Sequence, residues 1–169
     1  MRKIVGSLII VALIFLTGCQ TQEPSEADRT RFIHENNLES AIELSEQGAY
    51  YYFLESTDKV HIYVLKGMES AKFVSSHTEL PKTDEPLYLG GLYPGYVGIY
   101  LTSKEIIDST KKVRFIINNE TFDYDFSNQN ALVIKNKQIT NYNFIIEFID
   151  NKGTVLYKYY NGPISSTHD

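Results

Sequence analysis

The chain has 169 residues, a formal net charge of −5, 13 tyrosines, nine phenylalanines, a single cysteine and no tryptophan. That length fits one domain able to bury a core of its own. The acidic balance excludes nucleic acid as a partner, since that polyanion rewards clustered Lys and Arg, and a lone cysteine excludes both a disulfide framework and a cysteine metal site.

The chain opens on the basic residues Arg2 and Lys3, followed by an almost unbroken apolar run from Ile4 to Leu16. This is the layout of an export signal. A helix over residues 4–18 is only about 22 Å long at ~1.5 Å per residue, short of the roughly 30 Å hydrocarbon core. No membrane span is therefore expected there. The run ends in Leu16-Thr17-Gly18-Cys19, which closely resembles the lipobox of bacterial lipoproteins. The resemblance implies that the Cys19 thiol carries a diacylglycerol, that the signal peptide (residues 1–18) is removed, and that Cys19 begins the working protein. Two acyl chains at one residue turn marginal membrane binding into stable attachment. The expected address is the outer face of the cell membrane. Abundant Lys, Asn, Ile and Tyr are typical of an AT-rich genome and lean toward a one-membrane cell.

Residues 19–26 are polar, carry Pro24 and read as a short tether. A helical segment is expected over residues 27–48. Ser25 and Asp28 form a capping-box pattern. Leu38, Ala41, Ile42 and Ser45 share a helical face, Asn37 suits a cap, and Gly48 suits a C-terminal stop. The stretch 38–47 carries the better helical pattern of the two halves.

From Ala49 the apolar period becomes two, and a β domain is expected over residues 49–162. Ala49–Glu55 and Val60–Lys66 form a hairpin around Ser56–Lys59. A turn follows at Lys66–Glu69, then a short strand at Ala71–Ser75. His77–Pro86, polar and holding two prolines, reads as a loop. Tyr88–Leu92 and Tyr96–Thr102 flank a turn at Tyr93-Pro94-Gly95, and Ser103 caps one helical turn through Ser109. Val113, Phe115 and Ile117 alternate with polar residues, as do Phe122, Tyr124 and Phe126, and then Tyr142, Phe144, Ile146 and Phe148. Ala131–Lys135 is a short strand, and Asp150-Asn151-Lys152-Gly153 is a tight-turn signal leading into a last strand at Thr154–Tyr160. Residues 163–169 read as a tail. Many short strands without intervening helices predict a mainly β, antiparallel sandwich, immunoglobulin-like or similar, with an N-terminal helix. A small β-barrel is the alternative.

Chemistry-bearing patterns are sparse. No nucleophile elbow or Ser-x-x-Lys motif stands in a fitting context, so no catalytic residue is assigned. His34, His61, His77 and His168 show no local pair at ligand spacing, so no metal site and no cofactor is expected. His61 reads as a sheet residue alternating with Tyr63. Asp123 and Asp125 share one strand face, and two solvent-facing charges explain them. The best binding candidates are Tyr88, Tyr93, Tyr96 and Tyr100. They cluster around Gly90-Gly91 and Pro94-Gly95, where flat aromatic rims suit sugar rings or peptides. If Val97, Ile99 and Leu101 face the core, Tyr96 and Tyr100 face outward. The expected role is a membrane-anchored binding or assembly module for a protein or cell-wall glycan partner. A small cell-envelope hydrolase and an immunity-like protective lipoprotein are the alternatives.

Overall fold

The computed structural model describes residues 23–67, 73–139 and 143–162. The expected export signal, Cys19, the first residues of the expected tether, the expected turn at Met68-Glu69, Tyr142, the expected tail from 163 and, at Tyr93, the side chain lie outside the described part. Along the chain run α1 (Glu26–Glu35), β1 (Ile42–Glu46), β2 (Ala49–Glu55), β3 (Lys59–Gly67), β4 (Phe73–Pro81), β5 (Leu87–Tyr93) and β6 (Tyr96–Leu101). Then come α2 (Lys104–Ser109), β7 (Lys112–Ile117), β8 (Glu120–Asp125), β9 (Ala131–Lys135), β10 (Phe144–Ile149) and β11 (Val155–Asn161).

Helix α1 starts where its capping box predicts. Ser25 Oγ accepts the Asp28 N–H at 3.2 Å, and the Asp28 carboxylate accepts the Ser25 N–H at 3.2 Å. It stops at Glu35 because Asn37 turns left-handed at φ 54°. The Leu38 N–H then donates back to the Ile33 carbonyl at 2.9 Å, and Leu38 packs with Ile33, which is the closure of a Schellman end.

The second half of the expected helix is a strand instead. β1 pairs with β2 from Ile42↔Phe53 to Glu46↔Ala49, and Gln47 (φ 44°) and Gly48 (φ 77°) make the two-residue turn between them. Both turn residues have positive φ, as a tight hairpin of matching twist demands. Gly48 is thus a hairpin glycine, not a helix stop. A second correction concerns His77–Pro86. β4 runs on through Pro81, paired with β3 from Gly67↔Phe73 to Lys59↔Pro81. β4 is a sheet edge, its Ser75, Ser76, His77 and Glu79 are exposed, and Pro81 sits at the strand end where a missing N–H is tolerated.

The strands form three open antiparallel sheets, ordered β1-β2-β3-β4, β5-β6-β9 and β11-β10-β7-β8. The fold is mainly β, with antiparallel sheets, no closed barrel and an N-terminal helix. The short sheet is the middle layer. Its Val97, Ile99, Leu101 and Ile134 pack against Val113, Phe115, Ile146 and Phe148 of the β7–β10 sheet. Its other face, with Tyr88, Tyr100 and Ala131, packs against Tyr51, Phe53, Val60 and Ile62 of the first sheet. Helix α1 covers the outer face of that first sheet through Phe32, Ile33, Tyr52 and Leu65.

Two glycines set how closely the middle layer approaches. A Cβ on Gly90 would lie 2.8 Å from Ile62 Cδ1, and one on Gly91 would lie 2.7 Å from Val64 Cγ2 and 2.9 Å from Tyr51 Cε1. The Gly-Gly pair makes room for the side chains of the first sheet where any other residue would wedge the layers apart.

Candidate functional site

The tyrosines do not form one exposed rim. Both faces of β6 are covered, one by each neighbouring sheet, so the outward face expected for Tyr100 is a second core. Tyr88 (6 % exposed) and Tyr100 (4 %) are buried there. Each phenol has a structural partner. Tyr100 donates to the Glu55 carboxylate at 2.8 Å, and Lys82 pairs with the same carboxylate. Burial and this anionic neighbour push the Tyr100 phenol up to about 12. Tyr88 receives the Thr83 N–H at 2.8 Å and donates to the Thr83 carbonyl at 3.1 Å, fastening the loop ahead of β5. Tyr96 remains half-buried at the surface, its ring beside the Lys66 and Lys135 ammoniums at 5.2 and 5.8 Å. Tyr93 pairs through its backbone with Tyr96 across the Pro94-Gly95 turn.

The outer face of the third sheet carries a row of alternating charge, one residue per strand. Asp123 of β8 pairs with Arg114 of β7 at 3.0 Å, Arg114 lies 3.7 Å from Glu147 of β10, and Glu147 pairs with Lys158 of β11 at 2.9 Å. Lys112 adds a second cation 3.0 Å from Asp123. Hydrogen bonds from Arg114 and then Lys112 hold the Asp123 carboxyl below its usual range. A general acid needs the opposite shift, so Asp123 is fitted to hold the sheet face rather than to transfer protons. Asp125 is exposed on the same strand.

β11 closes that sheet as an edge strand. Tyr157 and Tyr159 turn inward against the core, while Val155 (43 % exposed), Leu156 (39 %) and Tyr160 (54 %) remain open to solvent. At the end of the sheet, Tyr160 and Ile145 meet Asn118, Asn119 and Asn143 around a shallow groove. Asn118 and Asn119 hold left-handed φ values of 51° and 62° in the β7–β8 turn. The sequence signal for this surface is the run Val155-Leu156-Tyr157-Lys158-Tyr159-Tyr160, whose alternation turns Tyr157 and Tyr159 inward and leaves Leu156, Lys158 and Tyr160 outward.

A group that local spacing could not reveal lies on the outer face of the first sheet. β3 and β4 pair His61↔Glu79 and Tyr63↔His77. This register sets His61 diagonal to His77, with Nδ1 of one 3.1 Å from Nε2 of the other. Glu79 Oε2 lies 3.8 Å from His61 Nδ1. The Tyr63 ring stacks on His77 at 4.0 Å and 5°, fixing the imidazole plane. Lys59 Nζ holds the other Glu79 oxygen at 2.5 Å. Burial, and then the neighbouring His61, lower the His77 pKa, so its ring favours the neutral form. The signal that finds this group is cross-strand register: the histidines are 16 residues apart across a hairpin.

Compared with known proteins, the chain matches no protein-family model, no curated protein and no solved structure.

Proposed function

We propose that this protein is a lipoprotein anchored through Cys19 at the outer face of the cell membrane, and that its folded body binds a protein partner by strand addition along β11. The lipobox-like sequence supports the anchor. The binding reading is carried by one observation: β11 is a sheet edge that leaves Val155, Leu156 and Tyr160 exposed. An edge strand presents a row of backbone donors and acceptors, and exposed alternate side chains give an added strand its specificity. Isolated edges are usually blunted by charge or proline, and here Lys158 is engaged by Glu147.

A cell-wall glycan is the second reading, favoured by the groove at the end of the same sheet. Tyr160 offers a ring face for sugar C–H groups, and Asn118, Asn119 and Asn143 offer amides for hydroxyls. The hydrolase reading loses ground because Asp123 is tied into ion pairs.

A photoactivatable residue at position 156, expressed on intact cells, tests the proposal. Capture of one discrete protein, reduced at least tenfold by Val155→Lys within the same chain, supports strand addition. Capture of glycan alone favours the second reading. No crosslinked species, or capture unchanged by Val155→Lys, refutes a binding role for this edge. The anchor is tested separately by Cys19→Ala, which should abolish acylation and membrane attachment. Unchanged mass and unchanged attachment refute it.

A further inference from the structure

We propose that His61, His77 and Glu79 form a binding site for one divalent transition-metal ion of the zinc class. The three side chains project from adjacent strands β3 and β4, and their donor atoms all lie within 4.8 Å of one another. A tetrahedral zinc ion with metal–nitrogen bonds of about 2.05 Å places its ligand atoms about 3.3 Å apart. The Nδ1–Nε2 separation of 3.1 Å and the Nδ1–Oε2 separation of 3.8 Å bracket that value. The two imidazole nitrogens face each other at hydrogen-bond distance. With each ring neutral and its proton carried on the nitrogen turned away from the other ring, both lone pairs face a cation bound between them.

The surroundings favour pre-organisation. Tyr63 stacks on His77, and His61 stacks with both rings at centroid distances of 5.4 and 6.3 Å. Lys59 fastens Oε1 of Glu79 and leaves Oε2 toward His61. Outer partners of this kind orient ligands, although the ammonium also weakens the local field felt by a cation. Three protein donors leave a fourth position for water or for a group from another molecule. The donor set of two imidazoles and one carboxylate suits zinc, and copper(II) by the same affinity order, and discriminates against calcium and magnesium, which prefer all-oxygen shells. The site lies on the first sheet, away from β11, so it stands or falls independently of the binding role proposed above.

The purified full chain in detergent, stripped with chelator, is titrated with ZnCl₂ by calorimetry. The cobalt(II) adduct is followed by visible absorption. Expected is one ion per chain, tetrahedral cobalt bands, and a zinc affinity at least tenfold weaker in His77→Ala and in Glu79→Gln. His34→Ala and His168→Ala, which alter the other two histidines, should bind like the unaltered chain. Far-UV circular dichroism in chelator checks that His77→Ala folds. Glu79, exposed on an edge strand, provides a variant that leaves the sheet intact. Absence of stoichiometric binding at 100 µM zinc (about a hundredth of the concentration at which a millimolar-range surface site would saturate), or equal affinity in all four variants, overturns the site.

Discussion

Alanine at three glycines separates two ways of damaging this fold. Gly90 has no positive φ, but its Cβ would press on Ile62 Cδ1 at 2.8 Å and Thr78 Cβ at 3.0 Å. Gly153, in the β10–β11 turn, has φ +85° and nothing within 4 Å of an added Cβ. Gly91 has both problems, with φ +58° and contacts of 2.7 and 2.9 Å to Val64 and Tyr51. Val64 and Tyr51 are buried and cannot swing away. Overpacking costs about 1–3 kcal/mol, and a left-handed conformation costs an L-residue about 1–2 kcal/mol. Gly90→Ala should therefore lose about 1–3 kcal/mol, Gly153→Ala about 1–2 kcal/mol, and Gly91→Ala roughly their sum, about 2–5 kcal/mol. The last figure is a large share of a typical stability of about 5–15 kcal/mol. Urea unfolding followed by tyrosine fluorescence and circular dichroism reads the differences, since the chain has 13 tyrosines and no tryptophan. The reasoning fails if Gly90→Ala is silent, or if Gly91→Ala costs no more than Gly153→Ala. Either result would mean that the middle sheet does not sit against the first sheet as closely as described.

Tyr100→Ala should destabilise the chain by about 3–5 kcal/mol while leaving partner capture by the folded fraction unchanged. A stable variant that fails to capture the partner would return this tyrosine to a binding role. Glu147→Ala removes the partner of Lys158 and of the second face of Arg114, and should cost about 1.5–3 kcal/mol, as for a hydrogen-bonded charge. A change in urea midpoint equivalent to less than about 0.5 kcal/mol, the range of ordinary surface substitutions, would show that the charge row does not hold the sheet. Acid should weaken the fold in a defined direction. Arg114 and Lys112 lower the Asp123 carboxyl, and Lys82 and then Tyr100 lower that of Glu55, so the unfolded chain binds more protons at these sites than the folded one. Their stabilisation is complete above the ordinary carboxylate range of about 4 and disappears as pH falls through the depressed folded values. Thermal unfolding from pH 6 downward should show this loss, and the double variant Asp123→Asn, Glu55→Gln should flatten it. An unchanged slope refutes the assignment.

Features governed by a few neighbouring residues were legible without coordinates. The Ser25–Asp28 capping box, the Ser103 cap, whose Oγ accepts the Ile106 N–H, and the Asp150–Gly153 turn all stand where local chemistry puts them. So do the alternating strands of the C-terminal third and the mainly β class. The stretch from Leu38 to Gln47 misled because its apolar spacing fits a helix as well as a strand. Asn37 and Gly48, which resemble helix boundaries, supply positive φ to a Schellman end and a hairpin turn instead.

By itself, the sequence determined the start of the N-terminal helix and the alternating strands other than β1 and the far half of β4, because each depends on side-chain alternation and backbone preference over a few residues. Only the tertiary structure decided what those strands face. A strand with one polar-looking face can have that face buried when a third sheet closes over it, which is what happens to Tyr88 and Tyr100. Likewise, two histidines far apart along the chain become neighbours only when hairpin register sets them on one face. Both outcomes depend on how layers stack and how strands slide past each other, and no local pattern encodes either.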